Sequence, residues 1–225
     1  MKEKILPKDP YNIIIAGVGG QGNVMASRIL SNMLVQKGHY VTIGETFGAS
    51  QRGGSVISHI RVSSRSNWSP QVPKGKADMV VTLEPIEAIR VLARYGNPAV
   101  KVLTNTRAVY PAGVIAGKLS YPSLAEIKET LKKLSAHVWF IDATAEAVKL
   151  GNSILGNIVM IGALSAVGDL PIDRDDFAAV ISGSLPAEKM ADNLKAFVLG
   201  AEMMKGGRLA ALNLQRFKTL PKLPL

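Results

Sequence analysis

The chain has 225 residues, 47% of them hydrophobic, no cysteine, and a formal net charge of +10 at pH 7. That length and apolar fraction suit one α/β domain with a sizeable core. The absence of cysteine excludes disulfides, a thiolate nucleophile, and an iron–sulfur or zinc–thiolate site built by this chain alone, so any metal centre used in redox chemistry belongs to another chain.

Apolar runs that indicate buried strands alternate with stretches of helical periodicity, which is the pattern of a parallel sheet. In chain order they predict a strand at 12–16, a helix at 22–36, strands at 40–44, 55–62 and 79–83, a helix at 85–94, a strand at 100–105, a helix at 123–134, a strand at 138–142, and helices at 144–167 and 186–204. We therefore predict an α/β fold with a doubly wound, mostly parallel, Rossmann-like sheet and C-terminal helices. One domain is expected over residues 1–204, followed by a basic C-terminal tail over 205–225.

The N-terminus, one uncharged segment and the net charge indicate where the protein works and what it binds. The N-terminus has no apolar stretch long enough for a signal peptide, so we expect a cytoplasmic protein. The uncharged segment 150–168 contains Asn152 and Asn157 and is marginally long for a membrane span, so we interpret it as a buried helix. The positive charge suits a phosphate-bearing ligand, nucleic acid or an acidic partner protein, or it belongs to a solvated surface. The basic tail lacks interleaved aromatic residues, so we expect neither a nucleic-acid partner nor a membrane.

The segment GVGGQG at 17–22 follows the first strand, opens the first helix and fits the pattern G-x-G-x-x-G. Glycines allow a positive φ and a close approach of backbone N–H groups to a phosphate, and the helix N-terminus adds a partial positive charge. The alternative is a tight strand–helix turn that serves packing alone. The candidate phosphate-binding residues are Gly17, Gly19, Gly20, Gln21 and Gly22.

A second glycine-rich loop, over 45–55, places a carboxylate, hydroxyls, an amide and a guanidinium between glycines. Arg52 could pair with a phosphate or a carboxylate through two parallel hydrogen bonds, unless it pairs with Glu45 in a purely structural loop. Because the loop follows the second strand, we expect it at the carboxyl edge of the sheet, near the first glycine loop. The candidate ligand-binding residues are Glu45, Ser50, Gln51, Arg52, Gly53 and Gly54.

Glu45 makes a free-standing NAD-binding dehydrogenase the main alternative. It lies about twenty residues past the first glycine loop, where dinucleotide enzymes place an acid on the ribose 2′-hydroxyl. The chain supports this alternative poorly, since it has no Tyr-x-x-x-Lys pair and its histidines, His39, His59 and His137, lie in or next to predicted strands. We therefore name no catalytic residue and no metal ligand. A non-catalytic nucleotide-binding scaffold remains the second alternative.

Six segments together resemble a known family. They are GVGGQG at 17–22, Glu45, SQRGGSVISHIRV at 50–62, Ser-Pro at 69–70, Ala-Asp at 77–78 and LEPIEAIR at 83–90. They resemble the β subunits of indolepyruvate ferredoxin oxidoreductases, a gamma-type domain of the pyruvate/2-oxoacid:ferredoxin oxidoreductase family. The resemblance is dense over residues 12–94 and looser to about residue 204. A small departure is Ala49, where the family commonly has Met.

The resemblance implies an accessory subunit that is not catalytic alone. Thiamine diphosphate, Mg²⁺ and [4Fe–4S] clusters would lie on a partner α subunit, and the complex would oxidatively decarboxylate an aryl 2-oxoacid, form an aryl-acetyl-CoA and reduce ferredoxin. It also implies that this domain takes part in coenzyme A binding and in completing the active site. The absence of cysteine agrees with that role, and two glycine loops in a basic chain suit a ligand with a pyrophosphate and a 3′-phosphate.

Overall fold

The computed structural model describes residues 6–48 and 54–218, with side chains described as far as Lys205. Six strands form one sheet in the order β2-β3-β1-β4-β5-β6. The strands are β1 (Tyr11–Val18), β2 (Tyr40–Phe47), β3 (Ser55–Ser63), β4 (Met79–Thr82), β5 (Lys101–Asn105) and β6 (His137–Ile141). The helices are α1 (Asn23–Gln36), α2 (Pro85–Tyr95), α3 (Ala112–Ile115), α4 (Leu124–Leu134), α5 (Ala143–Lys149), α6 (Gly156–Val167), α7 (Arg174–Ser182) and α8 (Ala187–Lys218), with a 3-10 turn at Ser153–Leu155.

The expected α/β architecture is confirmed, and one strand departs from a regular doubly wound order. β1, β4, β5 and β6 run parallel, whereas β3 runs antiparallel between β2 and β1. The connection from β2 to β3 is too short for the crossover that parallel neighbours need, so the two strands form a hairpin. β3 therefore takes the place next to β1 that β2 would occupy in a regular Rossmann half.

Helices cover both faces of the sheet, and β1 is buried along its whole length. Ile13 and Ile15 belong to a core formed with α1, α6, α7 and α8. Ile14 and Ala16 point to the opposite face and belong to a second core formed with α2 and α4. Alternate residues of one strand thus serve two cores, which explains why the first strand reads as a continuous apolar run.

The uncharged segment forms the buried helix expected for it, α6, which packs along α8. A Cβ on Gly162 would overlap the carbonyl oxygen of Phe197, and a Cβ on Gly200 would overlap that of Val159, so both glycines allow a close helix contact. Among residues 6–48 and 54–218, no helix is long and apolar enough to cross a membrane. The α8 helix continues past residue 204, where we expected the domain to give way to a tail, and ends at Lys218.

Candidate functional site

The first glycine loop turns the chain from β1 into α1 at the carboxyl edge of the sheet. Gly20 and Gly22 have φ values of +98° and +79°, in the left-handed region that favours glycine. Gly22 is the N-cap of α1, so the N-cap residue has no side chain with which to cap this helix. Because the first amides of a helix lack intrahelical partners, the α1 N-terminus presents N–H donors and a partial positive charge to the space beyond it.

A cavity of about 610 Å³, the polar cavity, lies beyond the carboxyl ends of β4, β5 and β6 and against the glycine loop. This is the switch point of the sheet, where the chain leaves β1 toward one face and β4 toward the other, and it is where doubly wound proteins bind ligands. The charged residues among the described lining are Arg107 and Asp142. Asp142 accepts from the Ala145 amide at 3.0 Å and caps α5. Arg107 forms no ion pair with the residues that the structure describes, so its charge is available to a ligand.

A second cavity of about 690 Å³, the apolar cavity, adjoins the first at Gly20 and Ile154. Met25, Phe47 and Val56 are among the apolar residues that line it. The N-terminus of α1 therefore lies between a cavity that carries the charged side chains Arg107 and Asp142 and a cavity whose described lining carries no charge. An elongated ligand with an anionic part and an apolar part fits this arrangement.

Two amide side chains shape the glycine loop from inside. Gln21 accepts from the Val18 amide at 2.9 Å and donates to the Leu83 carbonyl at 3.0 Å, so its amide group is engaged within the protein. Asn23 donates to the Val18 carbonyl at 3.1 Å, but its buried Oδ1 has no partner among the residues that the structure describes. A buried acceptor without a donor is costly, so a hydrogen-bond donor at this atom would stabilise the loop. A Cβ on Gly17 would lie 2.5 Å from this Oδ1, which explains the glycine there.

The ends of the second glycine loop lie against the first. The Gly19 amide donates to the Gly54 carbonyl at 2.8 Å, and the Gly48 amide donates to the Ser55 carbonyl at 2.7 Å, which closes the β2–β3 hairpin. The Gly19 N–H is thus used between the loops rather than presented to a ligand. The remaining candidates of this loop, Ser50, Gln51, Arg52 and Gly53, lie outside the described residues.

Glu45 lies within β2 and not at either cavity. It is paired with Ser58 of β3, which is itself paired with Ile15 of β1. Two strand spacings, about 10 Å, therefore separate Glu45 from the strand that leads into the glycine loop. The dinucleotide enzymes that suggested a dehydrogenase have these two strands as neighbours, so the structure does not bring Glu45 to the position that the alternative requires.

Several lining residues were not indicated by sequence reasoning. Asn105 donates to the Leu83 carbonyl at 3.0 Å and to the Thr144 hydroxyl at 2.8 Å, and Asn157 donates to the Gly22 carbonyl at 3.3 Å. Asn105 ends β5, so its place at the edge of the sheet could have been expected from the strand itself. Asn157 carries no such signal, because α6 brings it to the loop from 135 positions away.

The LEPIEAIR segment joins the parts of the site. The Leu83 carbonyl accepts from both the glycine loop and the end of β5. Glu84 and Glu87 are fully buried; Glu84 accepts from the Glu87 amide at 3.1 Å and caps α2. Glu87 accepts from the Ser55 hydroxyl at 2.6 Å, which ties α2 to the end of the second glycine loop. Burial raises the pKa of the Glu84 carboxyl above its ordinary value, against the hydrogen bonds that it accepts.

Comparison with known proteins agrees with this architecture. The family model described as pyruvate ferredoxin/flavodoxin oxidoreductase matches residues 12–203. The indolepyruvate oxidoreductase subunit IorB of Pyrococcus horikoshii is 38% identical over 196 residues, which is 87% of this chain and 96% of that protein. The pyruvate oxidoreductase subunit PORC of Thermotoga maritima has a TM-score of 0.63 at 22% identity, over 87% of this chain and 97% of that one.

A larger solved protein contains the same fold. The 2-oxoglutarate:ferredoxin oxidoreductase from Magnetococcus marinus, with 2-oxoglutarate, coenzyme A and succinyl-CoA bound, has a TM-score of 0.67 at 22% identity. The match covers 88% of this chain and 32% of that one. At such identities the two solved structures establish the fold alone.

The glycine loop at a sheet switch point defines an α/β domain of the class that binds ligands at that edge of the sheet. The family match and the identity to IorB go further: the chain belongs to the pyruvate ferredoxin/flavodoxin oxidoreductase family, as an accessory subunit of a 2-oxoacid:ferredoxin oxidoreductase. The resemblance seen in the sequence is thereby confirmed. Within the described residues, no group of three or more His, Asp or Glu side chains could hold a metal ion.

Proposed function

We propose that this chain is the accessory subunit of a thiamine diphosphate-dependent aryl 2-oxoacid:ferredoxin oxidoreductase of the indolepyruvate type, and that it binds coenzyme A. The observation that carries the proposal is the uncapped N-terminus of α1 between a polar and an apolar cavity. Coenzyme A has the matching chemistry, with phosphates at one end and an amide-containing, largely apolar arm at the other.

The described residues fit such a ligand. The N–H groups at Gly22 and the start of α1 suit a phosphate oxygen, since helix N-termini favour anions. Arg107 on the wall of the polar cavity suits a further phosphate. The apolar cavity suits the pantetheine arm, and Asn23 adds a polar side chain to its lining. Among the unplaced candidates, Arg52 remains a second proposed phosphate ligand.

The redox centres are assigned to a partner. Thiamine diphosphate with Mg²⁺, bound to an α subunit, would stabilise the carbanion left by decarboxylation, and [4Fe–4S] clusters there would pass electrons to ferredoxin. This chain has no cysteine to hold a cluster. Its own residues would bind and orient coenzyme A so that the thiol meets the acyl group on the partner, and they would complete the active site by excluding water.

Exposed apolar side chains around the cavities support a partner that covers them. Met25, Phe47 and Ile154 line the apolar cavity and are 37%, 61% and 40% exposed. Val148, on the wall of the polar cavity, is 58% exposed. Apolar side chains gathered at one opening mark an interaction surface, so we place the α subunit over the mouth of the two cavities.

The test is coenzyme A dependence in the complex reconstituted with its α subunit. Ferredoxin reduction would be followed with indolepyruvate at saturation and coenzyme A varied. Arg107→Ala is expected to raise the KM for coenzyme A about tenfold or more, because a hydrogen bond to a charged group contributes about 1.5–3 kcal/mol. The control is Arg174→Ala, an exposed arginine of α7 paired with Asp175. Equal KM values for both variants and the wild type would exclude the polar cavity as the coenzyme A site.

A further inference from the structure

We propose that Glu84 is a positioning residue of this site: it anchors the rim segment, residues 107–122, so that Arg107 stands at the wall of the polar cavity. The ligand named at that wall rests on the proposed function, but the anchoring does not. Glu84 does not line either cavity, and it would act on a ligand only through the segment that it holds.

Both long-range hydrogen bonds of the rim segment, within the described part of the chain, end on one oxygen. The Val109 amide donates to Glu84 Oε1 at 3.3 Å, and the Tyr121 hydroxyl donates a short bond to the same oxygen. The other oxygen, Oε2, accepts from the Glu87 amide at 3.1 Å and caps α2. One carboxylate therefore fixes the segment near both of its ends and ties it to the start of a helix.

Little else holds the rim segment in place. Its remaining backbone hydrogen bonds are local, within the turn of α3 and the residues that follow it. Tyr110, Ile115 and Leu119 are 56%, 77% and 64% exposed, so they add little packing against the body of the protein. Tyr121 is the exception, because its ring packs on the core formed with α2 and α4. A segment with few buried contacts opens easily unless specific bonds hold it.

The anchor is close to the residue that it would position. Val109 is two residues from Arg107, and both line the polar cavity. The carboxylate is fully buried, so water does not compete with the segment for hydrogen bonds to its oxygens. Release of the Val109 amide or of Tyr121 would let the cavity wall, with its cation, move away from the glycine loop.

Trypsin provides a readout of the anchor that is independent of any ligand. Its cleavage sites inside the rim segment are Arg107 and Lys118. Tyr121→Phe removes one hydroxyl from the full-length chain and is expected to speed cleavage at these sites about five- to tenfold, the effect of one net hydrogen bond. Glu84→Ala removes both bonds and is expected to speed cleavage further; if that variant does not fold, Tyr121→Phe carries the test. The control is Glu129→Ala, an exposed carboxylate of α4 paired with Lys133.

The reconstituted complex then connects the anchor to the site. Tyr121→Phe is expected to raise the KM for coenzyme A several-fold while kcat and the KM for the 2-oxoacid stay at wild-type values. Cleavage of Tyr121→Phe at the wild-type rate would overturn the anchoring, whatever ligand the cavity binds. Faster cleavage with an unchanged KM for coenzyme A would overturn the positioning role, and Arg107→Ala separately tests whether the cavity binds coenzyme A at all.

Discussion

The Gly19 amide donates a 2.8 Å hydrogen bond to the Gly54 carbonyl, and this bond joins the two glycine-rich loops of the protein. The first loop supplies the N-terminus of α1, and the second connects β2 to β3. Because β3 lies next to β1, the two loops leave adjacent strands and form one structural unit. A substitution in the second loop can therefore affect a ligand that the first loop holds.

Gly22→Ala should damage the site more than a matched glycine change elsewhere. Gly22 and Gly38 have φ values of +79° and +84°, so alanine at either position costs about 1–2 kcal/mol of backbone strain. A Cβ at Gly22 would also overlap the Asn157 side chain, whereas a Cβ at Gly38 meets nothing within 4 Å. We expect both variants to melt at lower temperature, and only Gly22→Ala to raise the KM for coenzyme A. Matching KM values in the two variants would argue that the loop serves packing alone.

Arg52→Ala tests the second loop, whose middle residues were identified from sequence. We expect weaker binding of coenzyme A or of the α subunit, with the fold intact. Arg65→Ala, which removes an arginine that is 86% exposed and paired with Asp9, is the control. Titration calorimetry with each ligand would measure the effect. Wild-type affinity for both ligands would remove Arg52 from the site.

His59 should make the protein less stable in mild acid. Burial, and then the charge of Arg94, hold the pKa of His59 below its ordinary value of 6.5, and the ring of Tyr95 meets it edge-on. As the pH falls below 6.5, the unfolded chain binds the proton first, so the free energy of unfolding falls until the folded pKa is passed. When the pH is lowered from about 7.5 to about 5.5, we expect the melting temperature of His59→Gln to fall less than that of the wild type.

The control for that experiment is the exposed His137, changed to Gln. It should follow the wild-type dependence of melting temperature on pH. A His59→Gln curve parallel to the wild-type curve would mean that the imidazole does not contribute to the acid sensitivity.

Ile115→Ser tests the rim segment as part of the surface that meets the partner. Ile115 is 77% exposed, so we expect no loss of stability in the chain itself. Removal of an apolar side chain from an interface should weaken the affinity for the α subunit, by about 1 kcal/mol or more if the residue is central. Val35→Ser, on the far end of α1 and 53% exposed, is the control. Identical subunit affinity in both variants would place the partner elsewhere.

The sequence could predict the strands and the larger helices because their signals are local. Continuous apolar runs mark the strands buried on both faces, and Ser123 with Glu126 marks the start of α4 through a capping box that the structure contains. The helix α7 was not predicted, although Asp173 and Asp176 form a capping box there with an aspartate in place of the usual Glu or Gln. The helix α3 has four residues, too few for a periodic signal.

The order of the strands and the cavity residues outside the glycine loop could not be predicted from local sequence signals. The short connection from β2 to β3 indicates a hairpin, but it does not tell which of the two strands lies next to β1, and the placement of β3 there removes Glu45 from the glycine loop. The glycine loop was found because its backbone shape, with positive φ at Gly20 and Gly22, requires glycines that are close together in the sequence. Arg107 and Asn157 reach the same cavity from distant parts of the chain, so their role depends on tertiary structure, which cannot be deduced from a single sequence.

Amide hydrogen exchange of the reconstituted complex, with and without coenzyme A, tests the central claim most directly. If the chain binds coenzyme A at the junction of the two cavities, exchange should slow in peptides that cover residues 20–25 and 105–109, and Arg107→Ala should reduce that protection. Unchanged exchange in both peptides, with protection confined to the α subunit, would contradict the claim and leave this chain without a part in coenzyme A binding.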